Sequence, residues 1–280
     1  LYETAERGYQ FTNLTAMGVK IVNNAVIGKS ESVDELFEDG FEAVFIGSGA
    51  GLPQFLHIPG ENLLGVYSAN EILTRTNLMK AYREDYDTPL KKFHNVAVVG
   101  GGNVAMDAAR VAKRLGDGHV YITYRRGREE LPARKEEVEH AEAEGIEFAL
   151  LNNPVSIVGD ENGRVTGIEL QKMELGEPDE KGRRKPIPVE GANWILECDA
   201  VIIAIGTSPN PLIRNTTGGL TFTRKGGIEA VKRSRKHSPA IAFHIPEKKV
   251  LIKRAEEIFI ENFFLFPIIY LALQGENMFY

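Results

Sequence analysis

Gly100, Gly102 and Ala105 fall at the spacing G-x-G-x-x-A, behind the apolar run NVAVV (95–99) and in front of NVAMDAARVAKRL (103–115). Residues of these types at this spacing suit phosphate binding. Gly100 permits a tight turn out of a strand, Gly102 lets the backbone approach a pyrophosphate, and Ala105 is small enough to keep the following helix against the sheet. A helix opening there turns its unsatisfied N–H groups and the positive end of its dipole toward the turn. A glycine-rich corner without a ligand is the plainer alternative, and the context has to decide between them. Arg125 and Arg126 then select the dinucleotide. They stand at the end of the next strand, where an NAD site usually carries Asp or Glu for the ribose 2′-OH. Guanidinium donors match a 2′-phosphate, which predicts NADP(H). A solvated charged loop would also account for TYRRGREE.

These residues need a strand, a helix and a second strand to position them. Residues 95–99 are apolar and β-branched, as in a parallel strand buried on both faces. The helix puts Val104, Ala105, Ala108, Val111, Ala112 and Leu115 on one face, and Gly116 and Gly118 stop it. Residues 119–124 make the second strand. A charged helix follows from Leu131 to about Ala143, with Glu137, His140, Ala141 and Glu144 near one face and solvation as its simplest reading. A third buried strand is expected at 148–151. Runs at 155–158, 164–173 and 194–197, separated by turn residues, predict an antiparallel meander, with 176–185 as an exposed charged turn. Residues 199–205 (DAVIIAI) give a last buried strand ending at Gly206. The fold class is therefore α/β: a Rossmann-type domain, parallel sheet plus antiparallel meander, inserted into a second domain.

Upstream, the spacing predicts the end of a helix at 14–17, a strand at 19–22, a capped helix over SVDELF (32–37) and a strand at 41–46. Gly47, Ser48 and Gly49 follow that strand. Their spacing does not fit G-x-G-x-x-G, and Pro53 opposes a helix directly behind them, so the segment reads as an irregular turn open to a ligand or as a plain loop. HIPGENLLG (57–65) carries turn signals and reads as an inter-domain crossing. SANEILTRTNLMKAY (68–82) reads as a helix capped by Ser68, and 85–92 as a hinge. The resulting domains are 1–92; 93–206, NADP(H)-binding; and 207–280, a return to the first domain plus a tail.

Composition narrows the class. The net charge of -6 gives no argument for nucleic acid. A single cysteine, Cys198, excludes an intrachain disulfide, a Cys-x-x-Cys pair and a cysteine-ligated cluster within these residues. No metal site is expected. The first residues, LYETAERGYQ, lack signal-peptide blocks and an initiating Met, so a cytoplasmic protein whose sequence is incomplete at this end is expected.

Four stretches together, FIGSGAGLPQFLHIPGENLLGVYSANEIL, VAVVGGGNVAMDAAR, YRRGREELPARKEEV and DAVIIAIGTSPNP, resemble the small subunit of NADPH-dependent glutamate synthase and its flavoprotein relatives over approximately residues 10–230. The resemblance implies that 1–92 and 207–280, the latter ending in a divergent tail, are a partial FAD-binding domain into which the Rossmann-type domain is inserted, with hydride transfer from NADPH to FAD and onward flow of electrons to an iron–sulfur or large-subunit acceptor on another region or chain. It implies that Gly100, Gly102, Asn103 and Val104 hold the pyrophosphate and that Arg125 and Arg126 hold the 2′-phosphate. Gly206 would lie beside the nicotinamide, and Gly47, Ser48 and Gly49 would bring backbone close to FAD. No catalytic side chain is named, because both reacting centres are cofactor atoms.

The sequence also departs from that family. The family's cluster-binding region and first FAD-binding unit precede the point where this sequence starts. Its Ala-Gly-Gly-Asp segment is replaced by GGIEAVKRSRKH, and residues 224–254 hold ten Lys/Arg against two Glu. That bias suits an anionic-partner patch or an altered tail. FFLFPIIYLAL (263–273) is too short to span a membrane, and a packing helix or an out-of-frame tail is expected. A frame change after about Val231 would explain both features.

Overall fold

The computed structural model describes residues 15–16, 18–41, 43–178, 182, 184–229, 241–245, 248–252 and 270–273. The described residues form two compact units, one from Leu1–Gly49, Asn210–Glu261 and Phe266–Tyr280, the other from Ala50–Pro209.

In the first unit, helix α1 (Val33–Glu38) carries the complete capping box expected of it. The Ser32 hydroxyl accepts from the Glu35 N–H at 3.1 Å, and the Glu35 carboxylate accepts from the Ser32 N–H at 2.7 Å. Strand β1 (Ala43–Ile46) follows and ends at the exposed Gly47, Ser48 and Gly49. The strand expected at 19–22 does not form: Val22 is 64% exposed, and the nearest pairing is the isolated bridge Ile27↔Glu31. β-branched residues without a neighbouring strand leave their backbone groups to water.

The second unit opens with β2 (Leu52–Pro53) and β3 (Val66–Ser68). Helix α2 (Ala69–Leu73) is capped by the Ser68 hydroxyl, which accepts from the Glu71 N–H at 3.1 Å, and it continues into a π-helical turn, Thr74–Leu78. The helix read to Tyr82 thus ends earlier. Residues 57–65, read as an inter-domain crossing, lie within this unit: the Glu61 carboxylate accepts from the Leu56 and His57 N–H groups, and a Cβ on Gly60 would fall 2.1 Å from the Ile157 carbonyl oxygen. Next come β4 (Val96–Val99), α3 (Asn103–Leu115), β5 (Val120–Tyr124), α4 (Lys135–Ala143), β6 (Glu147–Leu150), β7 (Asn152–Gly159), β8 (Val165–Pro178), β9 (Arg184–Glu197), β10 (Ala200–Ile203) and β11 (Thr207–Ser208).

Five strands make a parallel sheet in the order β3-β10-β4-β5-β6, and β7-β8-β9 make an antiparallel meander. The α/β class read from the sequence is the observed one. All four residues of β4 and of β10 are buried, as their unbroken apolar runs require. One face of the sheet packs on α3 and α4 through Val96, Val98, Ile122 and Ile202, each contributing about 2 kcal/mol. The other face meets the meander through Ala97, Val99 and Val201 against Ile168 and Leu170. The buried face of α3 also includes Met106 and Ala109. Of the stretch 176–185, read as an exposed charged turn, 176–178 close β8 and 184–185 open β9, while 179–181 and 183 lie outside the described residues.

The entrance to β4 is pinned by Asp199. Its carboxylate accepts from the His94 and Asn95 N–H groups at 3.0 and 2.9 Å and pairs with Lys91 Nζ at 2.9 Å. Burial alone would raise this carboxyl, but Lys91 and the two N–H donors outweigh it and hold it below the usual carboxylate range. A depressed folded-state pKa adds stability above the unfolded pKa of about 4, and that stability is lost as pH falls through the folded value. Asp199→Asn is expected to lose about 1–2 kcal/mol in urea denaturation at pH 7. The gap to wild type should close as pH falls through the depressed folded-state value.

The chain then returns to the first unit with α5 (Leu212–Thr216), β12 (Ile241–Ile245), β13 (Lys248–Ile252) and β14 (Tyr270–Leu273). β13 pairs parallel to β1, with β12 and β14 antiparallel beside them. The basic stretch thus contributes two strands. The packing helix expected near the end is extended at its last four residues, and residues 253–269 lie outside the described ones.

Candidate dinucleotide site

The candidate site lies at the carboxyl ends of the parallel strands, where the connections leave β4 in one direction and β10 lies on its other side. β4 delivers the chain to Gly100, whose φ of +147° lies outside the range that side chains favour. A Cβ there would fall 2.3 Å from the Ala204 carbonyl oxygen, because β4 and β10 close on each other at this point. The Gly100 N–H donates to the Thr123 carbonyl at 3.0 Å, and the Ala204 N–H donates to that of Val99 at 2.8 Å. The turn is therefore locked to both neighbouring strands.

Gly101 rests on Tyr124 and Leu131, whose side chains a Cβ would meet at 2.8 and 3.0 Å. Gly102 is different. It is the N-cap of α3, supplies no side-chain cap, and a Cβ built on it meets nothing within 4 Å. The first-turn N–H groups of Asn103 and Val104 have no partner within the helix and face that open ground. α3 has 13 residues, is about 20 Å long, and carries Lys113 and Arg114 in its last turn to complement the other end of its dipole. A helix end of this kind can cradle an anion with backbone groups alone. The side chain of Asn103 is turned away to other work: its Oδ1 accepts from the Arg134 N–H at 2.8 Å, while the Gly101 carbonyl accepts from the Ala133 N–H at 3.1 Å. The LPAR segment is thereby docked on the loop, and what Asn103 and Val104 offer a ligand is their backbone.

Two charges of α4 do more than face solvent. Arg110 Nε donates to Glu144 at 2.8 Å and Arg110 Nη1 to Glu137 at 3.4 Å, and Arg114 joins the same Glu144. These pairs tie α3 to α4 and fix the angle at which the cradle is presented. His140 stays exposed.

Arg125 and Arg126 emerge just past β5, at the same edge of the sheet. Arg125 is exposed; Arg126 is half-buried, its carbonyl accepts from the Leu151 N–H at 3.1 Å, and its Nε is buried without a partner among the described residues. Gly206 follows β10 at this edge, with φ +112° and open space around its Cα. Its carbonyl accepts from the Gln54 N–H at 3.0 Å, which ties it to β2 and β11. The structure thus gathers Gly100, Gly102, Asn103, Val104, Arg125, Arg126 and Gly206 on one edge. Gly47, Ser48 and Gly49 belong to the other compact unit, where they form an exposed turn after β1. Among the described residues, no group of His, Cys, Asp or Glu is arranged to hold a metal ion.

A family model described as pyridine nucleotide-disulphide oxidoreductase matches residues 3–241. The chain belongs to this family. Curated relatives of this oxidoreductase include the glutamate synthase [NADPH] small chain of Halomonas elongata, 34% identical over 236 residues, covering 84% of this chain and 48% of that one. The NADP(+)-dependent formate dehydrogenase subunit beta of Moorella thermoacetica is 41% identical over 195 residues, 69% of this chain and 26% of its own. The putative oxidoreductase AegA of Escherichia coli is 37% identical over 219 residues, 77% of this chain and 33% of its own. The chain thus spans about half the length of these relatives or less. Its fold is similar to that of Mycobacterium tuberculosis FprA in complex with NADPH, with a TM-score of 0.59 and 22% identity over 82% of this chain and 61% of that one. The family's name includes disulphide chemistry, but Cys198 stands alone in this sequence. It is 4% exposed, and burial, with Asp199 beside it, pushes its thiol up to about 12. No helix among the described residues is long and apolar enough to cross a membrane.

Proposed function

We propose that this chain is part of an NADPH-dependent flavoprotein oxidoreductase of the glutamate synthase small-subunit type, with NADP(H) held by residues 93–206 and FAD contacted by 1–92 and 207–280. The carrying observation is the uncapped N-terminus of α3 behind the open Gly102, with two arginines past the next strand. When bound, NADPH supplies a hydride and FAD accepts it. The chain itself supplies orientation. The N–H groups of Asn103 and Val104 hold the pyrophosphate, Arg125 and Arg126 hold the 2′-phosphate, and Gly206 leaves room for the nicotinamide ring beside β10. Gly47, Ser48 and Gly49 form an exposed turn at a strand end, which fits backbone approach to FAD.

The names of the relatives support NADP(H) as the nucleotide, and "small chain" and "subunit beta" support a partner. We assign electron transfer to an iron–sulfur or large-subunit acceptor on another region or chain, a role in glutamate formation, and a cytoplasmic setting. A second reading, an NADP(H)-binding module that needs another polypeptide to retain FAD, is favoured by GGIE at 226–229 in place of Ala-Gly-Gly-Asp. The visible spectrum of the purified chain separates the two. Flavin bands that NADPH bleaches are expected for the first reading. A colourless chain that binds NADPH selects the second, and a chain that binds no NADPH overturns both.

A further inference from the structure

At the end of β5, two buried polar atoms have no partner among the described residues: Arg126 Nε and Glu130 Oε2. Arg126 and Glu130 line a cavity of about 530 Å³, within the size range of small-molecule sites. Its other wall comes from the β8–β9 hairpin, which contributes Pro178 and Arg184. Arg184 Nε donates to Glu130 Oε1 at 2.7 Å, and its Nη2 donates to Glu129 Oε2 at 3.0 Å.

The two carboxylates are not equivalent. The Glu130 side chain is 13% exposed, and its backbone is held by the Tyr124 hydroxyl, which donates to its carbonyl at 3.0 Å. Glu129 is 85% exposed, so water competes for it. One partner fixes the guanidinium of Arg184, and the other can be exchanged. These bonds use Nε and Nη2 and leave the Nη1 protons over. A buried guanidinium N–H such as that of Arg126 calls for an acceptor, and a phosphate oxygen in the cavity would supply one. Among the described lining residues two arginines balance two glutamates; moving Glu129 aside leaves these residues one net positive charge for an anion.

We propose that Arg184 is a third guanidinium for the 2′-phosphate of NADPH, held in place by Glu130 and released from Glu129 when the phosphate enters. The hairpin, an element outside the strand–helix–strand unit, is then a specificity determinant for NADP(H) over NAD(H). The inference rests on the NADP(H) reading of Arg125 and Arg126. Neither composition nor spacing singles out Arg184, because the segment around it reads as an exposed charged turn.

The test is calorimetric titration of the full chain with 2′,5′-ADP and with 5′-ADP, which differ by the 2′-phosphate alone. Arg184→Ala is expected to weaken 2′,5′-ADP by about tenfold and 5′-ADP by less than about twofold. Arg184→Lys keeps the charge without the planar fork, and an intermediate loss confined to 2′,5′-ADP is expected. It also serves should the alanine variant fail to fold. Glu129→Gln is expected to bind 2′,5′-ADP at least as tightly as wild type. A wild-type preference for 2′,5′-ADP that survives undiminished in both Arg184 variants overturns this inference alone, as does an equal loss for both ligands. A wild-type chain that binds the two equally overturns the NADP(H) reading and this inference with it.

Discussion

Alanine at Gly102 is expected to leave a folded chain that binds NADPH about 100-fold more weakly, whereas alanine at Gly100 is expected to unfold it. The two glycines are two residues apart in one turn, and their surroundings are opposite. At Gly102 a Cβ meets nothing within 4 Å, so the fold does not need the hydrogen there. Gly is a better N-cap than Ala, so a cost of up to about 1 kcal/mol in urea denaturation is expected. The methyl group would occupy the ground through which a pyrophosphate reaches the N–H groups of Asn103 and Val104. Losing one or two charge-assisted hydrogen bonds, at about 1.5–3 kcal/mol each, gives the expected drop in affinity. At Gly100 the methyl would fall 2.3 Å from the Ala204 carbonyl oxygen, and φ is +147°. Relief would require β4 to part from β10 at the centre of the sheet, which is expected to cost more than about 4 kcal/mol. Circular dichroism melts and NADPH fluorescence titrations read the two outcomes separately. Wild-type NADPH affinity in Gly102→Ala would remove the pyrophosphate from this turn.

The same contrast shows what a sequence can and cannot carry. The run VAVV, the glycines behind it and the small residues of α3 are local signals. Each is dictated by burial on both faces, by φ or by close packing, and the structure forms them where the pattern put them. SVDELF is legible for the same reason, since a capping box is satisfied within four residues. Contacts made across long sequence separations leave no such mark. The resemblance implies a pyrophosphate role for Asn103, but no local signal tells that its side chain serves the Arg134 backbone 31 residues away. Glu137 and Glu144 read as a solvated face, because their partners Arg110 and Arg114 lie on another helix. The strand ends at 176–178 and 184–185 are hidden within a charged, Gly/Pro-containing stretch, since only the β8–β9 register reveals their pairing. The failed strand at 19–22 is the converse case: its β-branched residues signal a strand, but strands form in pairs, and none of the described residues pairs with it.

The double substitution Arg125→Ala/Arg126→Ala is expected to raise the dissociation constant for NADPH by about 100-fold or more, with NADH changed by less than about twofold. The 2′-phosphate is a dianion at neutral pH, and a guanidinium meets it with two parallel N–H donors. The two arginines occupy different environments, so their shares should differ. Arg125 is exposed; its contribution is a screened charge that weakens as salt rises. Arg126 is half-buried with an orphaned Nε, so a bond formed there replaces nothing and is less screened. Arg126→Ala alone is therefore expected to remove the larger part of the preference for NADPH, and raising ionic strength should erode the part that Arg125 supplies. Neither side chain belongs to the buried core, so melting temperatures should stay within a few degrees of wild type. Equal losses for NADPH and NADH would place these arginines on the shared pyrophosphate. No loss for either nucleotide would return TYRRGREE to a solvated loop.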